Sequence, residues 1–276
     1  MGERGWRVML GFERGWAMKV VIFAGGYGTR LSEETAVRPK PMVEVGPKPI
    51  LWHIMKIYAH HGYKDFVVLG GYKVEAIRRY FLDYARLESD FTVNLRTGAV
   101  EVLNGVRDDW RVTVLDTGLE TMTGGRLKRA QKFIGDETFL LTYGDGVSDI
   151  NIEQLVAHHR RCGAMATVTA VNPPGRFGVL GLSEGEDRVQ GFREKDQQDV
   201  GLINGGFFVC DPGVFQVIDD DATVWEQKPL RELVHRHQLS AYRHLGFWQP
   251  MDTLRDKAVL DGLWETGKAP WKVWSD

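Results

Sequence analysis

The chain has 276 residues, 43% hydrophobic and 26% charged, and its 35 Lys and Arg nearly balance 37 Asp and Glu for a net charge of −2. That balance excludes a disordered, collagen-like or coiled-coil chain, and without a basic excess nucleic acid is not the expected partner. Cys162 and Cys210 form no CxxC pair, which argues against a disulfide scaffold or zinc ribbon and for a reducing, cytoplasmic setting, and no apolar run is long enough to span a membrane.

Residues 1–17 read differently from the rest. Glu3-Arg4-Gly5-Trp6 recurs as Glu13-Arg14-Gly15-Trp16, and charges interrupt the short apolar stretch 8–10. The segment is too broken for a signal peptide. It is expected to be an extension whose removal (residues 2–17) leaves activity intact, with residues 18–276 forming the functional domain.

From Met18 onward, strand and helix patterns alternate. Short apolar runs at 19–23, 65–69, 112–115, 138–142 and 166–171 predict strands. Amphipathic stretches at 51–61, 74–87, 126–134 and 152–161 predict helices; in the second, Val74, Ile77, Phe81 and Tyr84 share one apolar face. Continuous apolar strands alternating with such helices imply an α/β domain, its sheet mostly parallel with helices on both faces. Later runs around 178–182, 189–194 and 202–210 have no helices between them and predict a β-rich C-terminal annex, antiparallel to the main sheet. Ligands of open α/β sheets bind where the strands end, so the loops there carry the functional question.

The first such loop reads Phe23-Ala24-Gly25-Gly26-Tyr27-Gly28-Thr29-Arg30-Leu31. Glycines let the backbone turn sharply and approach a bulky anion, and successive N–H groups with Thr29 and Arg30 would cradle phosphates. A tight strand-to-helix connection would use the same residues. Leu31 stands where a dinucleotide fingerprint needs its third glycine, and no glycine-Lys-Ser/Thr of a P-loop follows. The continuation Arg38-Pro39-Lys40-Pro41-Met42 adds a second signal: two prolines hold the backbone extended and present Lys40 as a fixed point charge.

Together the segments at 25–31 (GGYGTRL), Glu33-Glu34-Thr35 and 39–42 (PKPM) resemble the sugar-1-phosphate nucleotidylyltransferases. Further segments are similar to the cytidylyltransferase branch: 47–55 (PKPILWHIM), 122–129 (MTGGRLKR), 142–146 (TYGDG), 173–178 (PPGRFG), 203–209 (INGGFFV), 246–257 (GFWQPMDTLRDK) and 262–274. The resemblance implies a Rossmann-like fold, CTP and glucose 1-phosphate as substrates, CDP-glucose and pyrophosphate as products, a homohexamer, and a role in surface polysaccharide (O-antigen) synthesis. It implies that Phe23, Ala24, Gly25, Gly26, Tyr27, Gly28, Thr29, Arg30, Lys40, Thr121, Arg126 and Gly144 bind nucleotide, and that Asp145 and Asp252 hold Mg²⁺. Read in isolation, Asp145 could cap a turn, Asp252 could cap the helix after it, and Arg126 could be a surface arginine near a helix start. Lys195, in Phe192-Arg193-Glu194-Lys195, matches a sugar-phosphate lysine, although Asp196 replaces the family's proline; Asn204 and Gly205 match the sugar site.

The catalytic roles expected are Arg30 neutralising the departing pyrophosphate, Lys40 bridging the two substrates' phosphates, and Asp145 with the metal. The same chemistry on UTP or dTTP, and a non-catalytic nucleotide-sugar sensor, are the alternatives. Neither His60-His61 nor His235 with His237 puts two imidazoles on one helix face, so no zinc site is expected. The tryptophans, among them Trp248, Trp264, Trp271 and Trp274, are read as core or subunit contact, and the C-terminal aromatics raise the expectation of an oligomer.

Overall fold

The sheet grows outward from β1 (Val20–Ala24), all five of whose residues are buried. In the computed structural model, which describes residues 18–104, 108–173, 178–181, 191–194 and 201–275, β1 alternates its side chains between two cores. Val20, Ile22 and Ala24 enter one, and Val21 and Phe23 the other. That alternation is the period of two that any strand imposes; here both faces are covered, so neither set is polar.

Around it, in chain order, lie α1 (Ile50–His60), β2 (Asp65–Gly70), α2 (Val74–Leu87), β3 (Arg111–Asp116), α3 (Thr123–Ile134), β4 (Phe139–Tyr143), β5 (Gly146–Ser148), α4 (Ile152–Cys162), β6 (Ala166–Val171), β7 (Ile203–Cys210), α5 (Lys228–His235), β8 (Leu239–His244), β9 (Trp248–Pro250) and α6 (Leu254–Glu265). A seven-stranded sheet runs β8-β6-β7-β4-β1-β2-β3. β1 is parallel to β2 and β4, β2 to β3 and β6 to β8, whereas β7 is antiparallel to both β4 and β6. Side chains of α1 and α4 fill the first core and side chains of α3 and α5 the second, so both faces are covered as expected.

The annex is corrected in one respect. β7 is not appended to the sheet but inserted in its middle, fully buried from Gly205 to Cys210 save its first residues. Of the runs expected in the annex, Gly178–Gly181 and Gly191–Glu194 form a separate antiparallel ribbon. The exposed hairpin Phe91–Asn94 with Ala99–Val102, and edge strand β8, were not marked by the sequence pattern. No helix among the described residues is long and apolar enough to cross a membrane.

The C-terminal tryptophans turn inward. Trp271 is fully buried and Trp274 nearly so, and with Trp52 and Trp264 they surround His53 on α1. They therefore belong to the subunit's own core. His53 Nε2 lies 2.9 Å from the Val45 carbonyl, and Trp271 Nε1 donates towards Nδ1 at 3.4 Å. Burial depresses the imidazole pKa from 6.5 to about 4. Above pH 6.5 the group is neutral in both folded and unfolded chains. Between 6.5 and 4 the unfolded chain takes up a proton that the folded one refuses, so stability falls as pH falls. His53 alone is expected to remove about 2 kcal/mol at pH 5. Urea unfolding at pH 7 and pH 5 checks this: the pH dependence should shrink by that amount in His53→Asn.

Candidate active site

The sheet places its own crevice. The chain leaves β1 towards β2 and β3 on one side, and β4 returns on the other, so strand order reverses between β1 and β4. Loops leaving two such strands diverge and open a cleft at their carboxyl ends. The cleft here, about 390 Å³, is lined by Phe23, Ala24, Gly25, Gly26, Tyr27, Gly28, Thr29 and Arg30 from the end of β1, and by Gly144 and Asp145 from the end of β4. Lys40, Thr121, Arg126 and Asp252 line it as well. Thus every nucleotide and metal residue expected from the sequence lies on one cavity.

Two glycines show why the loop is built as it is. Gly28 has φ +64°, and a Cβ there would press on Thr35 and Lys40. Gly144 donates its N–H to the Phe23 carbonyl at 2.9 Å, and a Cβ would sit 2.7 Å from that oxygen. The ends of β1 and β4 are thereby closed onto each other, with Asp145 emerging at the junction.

Lys40 is held as a fixed charge, with one difference from the sequence expectation. Pro39 is extended (φ −69°, ψ 151°), but Lys40–Met42 then closes a tight 3-10 turn, with Val43 N–H on the Lys40 carbonyl. The ammonium donates to Asp145 Oδ2 at 2.6 Å and Asp252 Oδ1 at 2.7 Å, and its side chain is only 12% exposed. Burial works against the charge, but the two carboxylates outweigh it and hold the Lys40 pKa above its ordinary value. Arg30, 74% exposed, reaches Asp252 Oδ2 at 3.0 Å from the cleft mouth.

The two aspartates are neighbours because β5 and β9 pair. Gly146 stands opposite Pro250, and Met251 N–H donates to the Asp145 carbonyl at 2.8 Å. Asp145 and Asp252, 107 residues apart in sequence, are thus set side by side by one short ladder. Asp252 does not cap α6: Thr253 is the N-cap, in a reciprocal capping box with Asp256. Asp256 also accepts the Asp252 N–H at 3.1 Å, so the cap fixes the backbone that carries the Asp252 carboxylate.

Arg126 is neither a surface side chain nor a free fork. It is buried, and its two terminal nitrogens donate to Gly70 O, Thr117 Oγ1, Gly118 O, Gly25 O and Leu119 O at 2.7–3.1 Å. A Cβ on Gly25 or Gly71 would lie 2.3 Å from this guanidinium. Arg126 therefore braces the glycine loop against the segment 117–121 that forms the opposite wall. Thr121 on that wall is buried, and Tyr27 spans the cleft mouth, donating to Glu120 Oε1 at 2.5 Å.

Among the residues that match a sugar site, Asn204 Oδ1 accepts from Gly206 N–H, and its amide reaches the Tyr143 hydroxyl at 3.4 Å. Gly205 O accepts from the Trp248 indole at 2.7 Å, tying β7 to β9 and hence to Asp252. Lys195 lies outside the described residues. Sequence reasoning passed over Tyr143, which lines the cleft; its place directly before Gly144-Asp145, at a strand's carboxyl end, was the available signal.

Asp145 and Asp252 are suited to a hard divalent cation. Both carboxylates converge on one cationic group, and no third His, Cys, Asp or Glu joins them among the described residues. That is the donor set expected of Mg²⁺, held by one or two carboxylates with phosphates and waters supplying the rest.

The chain is similar to known proteins along most of its length. Over 258 residues the chain is 55% identical to glucose-1-phosphate cytidylyltransferase of Salmonella typhi, covering 93% of this chain and 100% of that one. It is 32% identical over 251 residues to mannose-1-phosphate guanyltransferase of Yarrowia lipolytica, covering 89% of this chain and 63% of the relative. The solved UDP-glucose pyrophosphorylase from Acinetobacter baumanii superposes with a TM-score of 0.64 at 15% identity, covering 91% and 95% of the two chains, which speaks for the fold alone. The nucleotidyl transferase family model matches residues 19–274, from the first strand through the last tryptophan. A cleft at the reversal of strand order, with its lysine and paired carboxylates inside that match, leaves one conclusion: the chain belongs to the nucleotidyl transferase family and is a nucleotidyltransferase.

Proposed function

We propose that this enzyme transfers the cytidylyl group of CTP to glucose 1-phosphate, giving CDP-glucose and pyrophosphate. The convergence of Lys40, Asp145 and Asp252 in one cleft carries the reading. Identity across the full length of the Salmonella typhi glucose-1-phosphate cytidylyltransferase supports the choice of base and sugar.

A phosphate oxygen of glucose 1-phosphate attacks the α-phosphorus of CTP in line, a new P–O bond forms, and the bond to the β-phosphate breaks. The attacking group is already an anion, so no protein nucleophile or base is required. The protein must bring two anions together and neutralise charge as it shifts onto pyrophosphate. The glycine loop 25–30 presents backbone N–H groups to the triphosphate, and Arg30 at the cleft mouth pairs with the leaving pyrophosphate. Lys40, fixed between the two strand ends, stands between the reacting phosphates. Asp145 and Asp252 would hold Mg²⁺, which when bound would neutralise nucleotide phosphate charge. Lys195, Asn204 and Gly205 seat the sugar phosphate and sugar.

Residues 1–17 are proposed to be dispensable, since the family match begins at residue 19. Self-association as a hexamer is proposed too. With the tryptophans turned inward, the exposed apolar side chains Phe91, Val93, Leu95, Val100 and Val102 of the outlying hairpin are what supports it. The two free cysteines accord with a cytoplasmic setting.

The reading is tested by incubating the protein with CTP, glucose 1-phosphate and Mg²⁺ and identifying the product by mass. CDP-glucose is expected, its formation stopped by EDTA and restored by excess Mg²⁺. Formation unaffected by EDTA contradicts the role given to Asp145 and Asp252.

A further inference from the structure

One carboxylate beside the cleft has no part in this mechanism. Glu226 follows the fully buried Trp225, in the loop that leads into α5. Its Oε1 accepts from the Tyr143 hydroxyl at 2.6 Å and its Oε2 from Thr123 Oγ1 at 2.8 Å. Both hydroxyls belong to side chains that line the cleft.

The placement is built into the packing. Gly124 and Gly125 open α3, and a Cβ on either would strike the backbone of Thr223 or Asp221 at 2.8 Å or less. Their bareness lets the loop that carries Glu226 lie directly on the helix start. Arg129 clamps the same loop through two hydrogen bonds to Asp221, and Trp225 N–H donates to Thr123 Oγ1 at 2.9 Å. Tyr143 is as firmly set: its ring stacks on Phe23 at 5.8 Å and fills the space beside Gly206, whose φ is +82°. Burial, followed by the Glu226 charge, raises the Tyr143 pKa, so the phenol stays a donor.

The result is a polar row: Asn204 amide, Tyr143 hydroxyl, Glu226 carboxylate, Thr123 hydroxyl. Its second member, Tyr143, stands two residues before Asp145, beside the place where the phosphates react. A carboxylate repels phosphate, so this row does not serve the reacting anions. It combines donors with acceptors, which suits a neutral polyol. A carboxylate has about four lone-pair sites, and among the described residues Glu226 uses two of them.

We propose that Glu226, with Tyr143 and Thr123, recognises the hydroxyls of the hexose 1-phosphate and is a specificity-determining residue for the sugar. This rests on the cytidylyl-transfer reading above. Hydrogen bonds from sugar hydroxyls to a charged acceptor are among the stronger neutral-ligand contacts, and leaving the acceptor unpaired penalises an analogue that lacks the hydroxyl.

The test compares wild type with Glu226→Gln, which keeps size and removes charge, and with Tyr143→Phe as a second variant. Steady-state kinetics are measured with glucose 1-phosphate and with its 2-, 3-, 4- and 6-deoxy analogues. The expected result is a KM for glucose 1-phosphate raised about tenfold or more in Glu226→Gln, with the KM for CTP within about twofold. At least one deoxy analogue should be penalised about tenfold in wild type and much less in the variant, with Tyr143→Phe shifting in the same direction. A rise in the KM for CTP instead, which would place Glu226 on the base, overturns the proposal. So do unchanged constants, or deoxy penalties that persist in the variant. A wild type that makes no product from CTP and glucose 1-phosphate overturns the cytidylyl reading itself, before any variant is considered.

Discussion

Lys40→Met is expected to lower kcat/KM for cytidylyl transfer by about 10²- to 10³-fold, the scale seen when one preorganised charge stabiliser is removed. Methionine preserves the length and apolar stem of the side chain, so the 3-10 turn at Lys40–Met42 and its packing against Gly28 are retained. What disappears is the ammonium that lies 2.6 and 2.7 Å from two carboxylates. Those carboxylates are 33% and 21% exposed, so water screens much of their repulsion and the stability cost is expected to stay near 1 kcal/mol. Activity and folding therefore separate: a large kinetic loss with a shift of only a few degrees in Tm. Pyrophosphate release and a thermal melt on the same preparation measure both. Near-normal kcat/KM in the variant would remove Lys40 from the centre of the mechanism.

Asp252→Asn carries the second large effect. Asparagine keeps the shape but loses the charge that a divalent cation needs. The kcat is expected to fall about 10²-fold, and the Mg²⁺ concentration for half-maximal rate to rise about tenfold or more. Tm should stay within about 2 °C, because the cap of α6 belongs to Thr253 and Asp256 and not to Asp252. The contrasting variant is Thr253→Ala, which removes the cap oxygen and should cost about 1 kcal/mol of stability with a far smaller change in Mg²⁺ dependence. Loss of stability in Asp252→Asn with unaltered Mg²⁺ dependence would instead return Asp252 to a structural role.

Much of this site was legible because its parts are local. β1, α2 and β6 are read correctly from periodicity to within a residue or so, since a strand buried on both faces and a helix with one apolar stripe leave distinct patterns. The glycine loop and the Pro39-Lys40-Pro41 turn are local as well. What the sequence hid is pairing. β7 looks like one more short apolar strand, and nothing within it says that it inserts between β4 and β6. Asp145 and Asp252 meet only through the β5–β9 ladder. Local spacing makes Asp252 a plausible cap, and the true cap one residue later emerges from side-chain geometry. Arg126 shows the same limit: a charge near a helix start suggests a phosphate, and nothing in the local pattern says that the side chain also braces the loop through five acceptor oxygens. Glu226 escaped notice because its partners, Thr123 and Tyr143, lie 103 and 83 residues away.

The most direct measurement is pyrophosphate release from the purified protein with glucose 1-phosphate, Mg²⁺ and, in separate reactions, CTP, UTP, dTTP and GTP. Release with CTP far above the other three is the expected result, and it joins the cleft, its cation-binding carboxylates and the choice of base in one observation. Release with none of the four nucleotides, from protein shown to be folded, would contradict the account.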